Sequence, residues 1–192
     1  MIPKKRILEE NVTNHNWDLY FLRIAAEVSK NTKCMSRQIG AVLVKDKSVV
    51  STGYNGPARS VKHCNERNFE FYNNLESPLN PCNVMCGDDI KEYPTTCPRK
   101  YYEYKSGEGL HLCQAGHAER NALIQAARNG IATLDTTLYC YCGLPCTPCM
   151  IEIINAGVAR LVYLDGPIYD NYSSTLLEES NMSYTKINIE EI

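Results

Sequence analysis

The segment "GHAERNA", residues 116–122, sets His117 two positions before Glu119 at the start of an alanine-rich run. Further on, "LPCTPCM" sets Cys146 and Cys149 with two residues between them. One imidazole and two thiols are ligand types that zinc takes, and three protein ligands leave its fourth tetrahedral position open for water, as a catalytic zinc requires. An ion held this way lowers the pKa of water to about 7. Glu119 stands close enough to take the proton and pass it on, a contribution of order 10² to 10⁴ in rate. A lone Cys-x-x-Cys also occurs in redox motifs and zinc ribbons, and a lone histidine at a helix start is often only a surface residue. The conjunction of the two halves, each opening a helix, points to catalysis.

The elements that must position these residues are legible from patterning. "HAERNALIQAARNG" reads as a helix stopped at Gly130, and "CTPCMIEIINAG" as a second stopped at Gly157. The positive ends of both helix dipoles then face one ion and favour the thiolates. "TTLYCYC" and "ARLVYL" read as strands, "SSTLLEES" as a short helix and "MSYTKINI" as a last strand, an alternation typical of a layered α/β sheet. Upstream, "NWDLYFLRIAAEVSKN" carries Trp17, Tyr20, Phe21, Ile24, Ala25 and Val28 at helical spacing, and "IGAVLVKDKSVVSTGYNG" reads as a hairpin turning at Asp46-Lys47-Ser48. Residues 57–112, rich in Asn, Pro, Tyr and Cys, are too many for an unsupported loop. No internal repeat or low-complexity tract is present.

A chain of 192 residues with 44% hydrophobic content suits one domain with a real core. Its net charge of -2 provides no general field for a polyanion, which favours a small-molecule partner over nucleic acid. Without a signal-like apolar run or a stretch of about 18 apolar residues, a cytoplasmic protein with no membrane partner is expected. In a reducing compartment, ten cysteines point to metal ligands or catalytic thiols more than to disulfides.

The pattern H-x-E…P-C-x-x-C is the zinc-deaminase signature. Together with "TKCMSRQIGAVLV", "STGYNGPA", "HC", "SGEGLHLC", "HAERNALIQAARNG" and "INAGVARLVYLDGPIYD", it makes the chain from about Trp17 to Tyr169 resemble the zinc-dependent cytidine/deoxycytidylate deaminase superfamily, the deoxycytidylate deaminases most closely. The resemblance implies a three-layer α/β fold, a central mixed sheet of about five strands with helices on both faces. It implies hydrolytic deamination of dCMP to dUMP and ammonia, supplying dUMP for thymidylate synthesis, in a homo-oligomer, often a hexamer, activated by dCTP and inhibited by dTTP. By the same resemblance His117, Cys146 and Cys149 hold the catalytic zinc, Glu119 shuttles the proton, Asn55 contacts the nucleoside, Ala118 offers its backbone to the base and Tyr169 packs against the nucleotide. Arg128 corresponds to an arginine implicated in nucleotide response, and Gly53, Tyr54 and Gly56 of "GYNG" are further candidate nucleotide or allosteric positions. Ile39, Gly40 and Ala41 fit the strand flanking the pocket, where ordinary burial is the simpler reading. Two departures bear on pocket shape: "LYCYCGLPC" is one residue longer than usual, which a bulge would accommodate, and Gly116 stands where the family often has an aliphatic residue.

Cys34, Cys64, Cys97 and Cys113 are similar in placement to the structural zinc ligands of some deoxycytidylate deaminases. A closed four-cysteine site would order the insert at about 57–112 within a single domain of residues 1–192. His63 and His111 are substitutes by position. Cys82 and Cys86 belong to that site in place of two of the four, bind a further ion, or are plain thiols. Cys140 and Cys142 read as small hydrophobes on a buried strand. Lys33, Arg37, Arg59 and Lys62 are candidate phosphate contacts whose simpler reading is a solvated surface. Alternatives to dCMP are a deaminase of dCTP or of a tRNA base, and, from another class, a non-catalytic zinc module, against which Glu119 argues.

Overall fold

The computed structural model describes residues 16–76, 92–105, 107–168 and 170–192. Tyr169, Cys82 and Cys86 lie outside them. Five strands form one mixed sheet, β1 (Gly40–Lys45), β2 (Ser48–Tyr54), β3 (Thr137–Tyr141), β4 (Arg160–Leu164) and β5 (Ser183–Ile187), in the order β2-β1-β3-β4-β5. β1 runs antiparallel to both β2 and β3, while β3, β4 and β5 are parallel. Parallel neighbours need crossover connections. They are supplied by α5 (Thr147–Asn155) and α6 (Asn171–Glu179).

The period of two along each strand divides the core into two layers. Val42, Val44, Tyr139, Val162 and Leu164 face α1 (Trp17–Ser29), packing with its Phe21, Leu22 and Ala25. Ala41, Leu43, Leu138, Cys140, Leu161 and Tyr163 face the other way, against α4 (Ala118–Arg128), α5 and α6. Helices thus cover both faces, as the family resemblance implies. Gly53 of β2 lets α4 lie directly on the sheet: a Cβ there would stand 2.2 Å from the Ala118 carbonyl oxygen and 2.3 Å from the Ala122 nitrogen. The helix stops expected at Gly130 and Gly157 are present, with φ of 68° and 73°, which glycine adopts without steric cost.

The stretch after the hairpin contains α2 (Phe69–Glu76), α3 (Pro98–Tyr101) and single 3₁₀ turns at Cys64–Glu66 and Leu110–Leu112. Phe69, Tyr72 and Leu112 are buried there, and the Phe69 and Tyr101 rings lie 4.4 Å apart. The one register shift in the sheet falls between Leu43 and Val44, where β1 meets β2. The bulge expected near the end of β3 is absent: β3 pairs without a shift up to Tyr141, and the extra length is taken up in a bend over residues 142–144. Among the described residues no helix is long and apolar enough to cross a membrane.

Candidate active site

Residue pairing between Gly40 and Tyr141 places the entry of β1 beside the exit of β3. The exit of β2 lies alongside, because Gly40 also pairs with Tyr54. Three chain segments therefore open onto one edge of the sheet, at the point where the strand direction reverses. Crevices at the carboxyl ends of strands near such reversals are the usual ligand sites of open α/β sheets.

Two helices begin at this edge. His117 is the N-cap residue of α4 and Cys146 that of α5, and neither side chain caps its own helix. Both turn to each other instead. Nδ1 of His117 lies 3.3 Å from Sγ of Cys146 and 3.3 Å from Sγ of Cys149. A tetrahedral zinc with ordinary Zn–N and Zn–S bonds separates such atoms by about 3.6 Å, so the three ligands are gathered to nearly the required size. Among the described residues this is the only set of three histidine, cysteine or carboxylate ligand atoms that all lie within 4.8 Å of one another.

The electrostatics match the geometry. The Cys149 thiol hydrogen-bonds the Cys146 sulfur and, with His117, holds the Cys146 thiol down to about 4 despite burial. Its negative neighbour and burial push Cys149 up. The same contact with Cys146 raises His117, against the effect of burial. Such a site carries protons that a divalent cation would displace.

Glu119 is in the first turn of α4 and 4% exposed. Burial pushes its carboxyl up, partly opposed by its own backbone N–H and by His117. A raised carboxyl suits proton transfer near neutral pH. Its Oε2 is buried without a partner, which fits a carboxylate held ready for a proton-bearing ligand at the fourth metal position.

The surrounding residues fall into two groups. Asn55, 5% exposed, accepts from the Ile39 N–H and donates to the Arg37 carbonyl, both at 2.9 Å. It therefore ties the exit of β2 to the segment entering β1, and keeps one Nδ2 hydrogen and one Oδ1 lone pair unused. The Ala118 N–H is one of the first-turn donors that α4 cannot pair internally. Gly56 and Gly116 exchange backbone hydrogen bonds of 3.1 and 2.7 Å, and Asn121 Nδ2 donates to the Tyr54 carbonyl at 2.8 Å. Gly116 abuts Asn121, whose Oδ1 would lie 2.9 Å from any Cβ at that position, a physical reason for the missing aliphatic side chain. Gly40 and Ala41 behave as strand, with Ile39 just before it: Ala41 is fully buried in the core, and a Cβ on Gly40 would meet the Ala25 carbonyl at 2.0 Å. Arg128 is exposed at the far end of α4, ten residues or about 15 Å from Ala118.

Three features were not anticipated from the sequence. Arg120 and Glu152 form a two-pronged ion pair, 2.9 Å in each prong, between the ligand-bearing helices α4 and α5. Asp170 accepts from Thr147 at the start of α5. Cys142, read above as a small hydrophobe on a strand, stands beyond the end of β3 with Sγ 3.9 Å from Oε1 of Glu119. Strand alternation predicts its face; only the fold places Glu119 opposite it.

Cys34, Cys64, Cys97 and Cys113 come from four separate segments. Burial raises the Cys64 thiol, and the nearby Cys113, Cys97 and Cys34 raise it further, but no three of these four sulfurs lie within 4.8 Å of one another. His63 engages the turn at Glu66, and His111 lies edge-on to Tyr104.

The family model for the cytidine and deoxycytidylate deaminase zinc-binding region matches residues 15–165. The chain belongs to the cytidine and deoxycytidylate deaminase family. It is 29% identical to the deoxycytidylate deaminase of Schizosaccharomyces pombe over 94% of its own length and 47% of that protein, and 31% identical to that of Mycobacterium phage D29 over 77% of its length and 94% of the phage protein. The chain spans about half the length of the Schizosaccharomyces pombe and Saccharomyces cerevisiae relatives it matches. A crystal structure of dCMP deaminase from the cyanophage S-TIM5 in complex with dCMP and dUMP superposes with a TM-score of 0.59 at 19% identity, covering 88% of this chain and 95% of that one, a likeness of fold.

Proposed function

We propose that this chain is a zinc-dependent deaminase that hydrolyses the exocyclic amine of dCMP, releasing dUMP and ammonia. The observation that carries the chemistry is the buried Glu119 carboxylate, with a free Oε2, in the first turn of the helix whose N-cap residue is His117. A purely structural metal site has no use for such a group. Zinc, when bound by His117, Cys146 and Cys149, supplies a water acidic enough to attack at neutral pH. Glu119 would take a first proton at Oε2 and pass it to the ring nitrogen of the cytosine, then take a second from the hydroxyl added to the ring carbon and pass it to the departing amine. Asn55, through its unused amide hydrogen and lone pair, serves the sugar, and the Ala118 backbone serves the base. The choice of dCMP follows the names of the relatives at 29% and 31% identity and the absence of a broadly basic composition.

A second zinc is part of this reading, held by Cys34, Cys64, Cys97 and Cys113 and closing the insert at 57–112 onto the body of a single domain. The electrostatic action of Cys113, Cys97 and Cys34 on the Cys64 thiol supports the choice of ligands. The eight described cysteines are all free, in keeping with a reducing cytoplasm.

Ammonia release from dCMP, dCTP, CMP, deoxycytidine and tRNA, each with and without added dCTP or dTTP, tests the proposal. Turnover of dCMP well ahead of the others is expected, because a pocket built to pair a phosphate discriminates strongly against a substrate lacking it. Preference for deoxycytidine or tRNA would overturn the substrate; stimulation by dCTP and inhibition by dTTP would establish regulation.

A further inference from the structure

Glu119 needs one carboxylate oxygen free and the other held, since a carboxylate that rotates presents its reactive lone pair in many directions. The helix backbone fixes its Cα and reaches the carboxyl only through the Glu119 N–H. Around the side chain, Oε2 has no partner, and Oε1 faces Cys142 Sγ at 3.9 Å, within reach of an S–H donor. The Cys142 backbone is itself anchored: its carbonyl accepts from the Leu164 N–H at 2.9 Å, continuing the β3–β4 ladder by one residue past the strand's end. Period-two alternation keeps Cys142 on the face of Cys140, which is fully buried in the α4-side core.

We propose that Cys142 is a positioning residue for the deamination. Its thiol holds Oε1 of Glu119 so that Oε2 alone is presented to the reacting atoms. A thiol is a weak donor, so it orients the carboxylate without tying up its charge as a strong hydrogen bond would. The bend over residues 142–144 supplies the turn that brings this side chain over the first turn of α4. The inference rests on the deaminase reading for its kinetic consequence, but the contact itself is independent of any substrate.

Two measurements test it. In the first, Cys142→Val and Cys142→Ser are compared with the unaltered protein for zinc content, kcat and KM toward dCMP. Valine fills the space without a donor; kcat should fall about ten-fold or more, as misplacement of a catalytic group does, with zinc retained. KM should stay within about two-fold, because binding is not what is lost. Serine restores a donor and should recover most of kcat. A Val variant as active as the parent, a Ser variant no better than Val, or a loss confined to KM would each overturn the proposal. In the second, the infrared S–H band isolated by the difference between the protein and its Cys142→Ser variant should lie at lower frequency than the same band in a Glu119→Ala background. Identical bands in the two backgrounds would overturn the contact. If the unaltered protein fails to deaminate dCMP while the band shifts, the substrate reading fails and the positioning contact stands.

Discussion

The Asp170 carboxylate accepts both the backbone N–H and the hydroxyl of Thr147, at 2.7 and 2.8 Å. Thr147 opens α5, whose N-cap is Cys146. An N-cap side chain ordinarily satisfies the unpaired amides of the first turn, but a cysteine committed to a metal does not. Asp170, from the loop before α6, supplies the cap instead, and Ser173 of α6 donates to the Pro145 carbonyl just before the ligand. Asp170→Ala is therefore expected to cost about 0.5–2 kcal/mol of stability, as loss of a cap does, and to speed zinc loss to a chelator. Denaturant melts and chelator kinetics check this; unchanged zinc release would detach Asp170 from the site.

Glu119→Gln preserves shape and removes the titrating proton. Turnover should fall by a factor of order 10² or more, with one zinc still bound by His117, Cys146 and Cys149. Full activity in the zinc-loaded variant would end the assignment of Glu119 as shuttle.

Elemental analysis should find two zincs per chain, and Cys64→Ser should lose one of them together with much of the stability, since a structural zinc contributes folding energy directly. A single zinc in the unaltered protein would remove the four-cysteine site and leave the catalytic one untouched.

Away from the site, Asp18 makes a two-pronged pair with Arg160 at 2.8 and 2.7 Å and accepts from the Tyr139 hydroxyl at 3.0 Å, tying α1 to β3 and β4. Burial raises the Asp18 carboxyl, but Arg160 and Tyr139 outweigh it and hold it below its ordinary value. A depressed carboxyl contributes stability that is complete above the ordinary aspartate range and is lost as pH falls through the lowered value. Asp18→Asn should thus destabilise near neutral pH, by about 1.5–3 kcal/mol for hydrogen bonds to a charged group, and the gap from the parent should narrow in acid. Melting both proteins from pH 7 to pH 3 measures it; a constant gap would contradict the role of ionisation.

Much of this protein is determined within single elements. His117 is the N-cap and Glu119 in the first turn of one helix, and Cys146 and Cys149 stand likewise on another, so short sequence spacing alone puts each pair at one helix start. The alternation in "GAVLV" and "RLVYL" likewise settles which side chains face which layer of the core. Tertiary structure decided what no spacing encodes. His117 and Cys146 are 29 residues apart, and they meet at 3.3 Å because β3 inserts between β1 and β4 and delivers α5 to the start of α4. That same insertion sets Cys142 against Glu119, and the crossover into β5 swings Asp170 onto Thr147. Short-range periodicity is a property of the backbone and is written locally. Contacts between elements depend on strand order and on which faces bury each other, which only the assembled core selects.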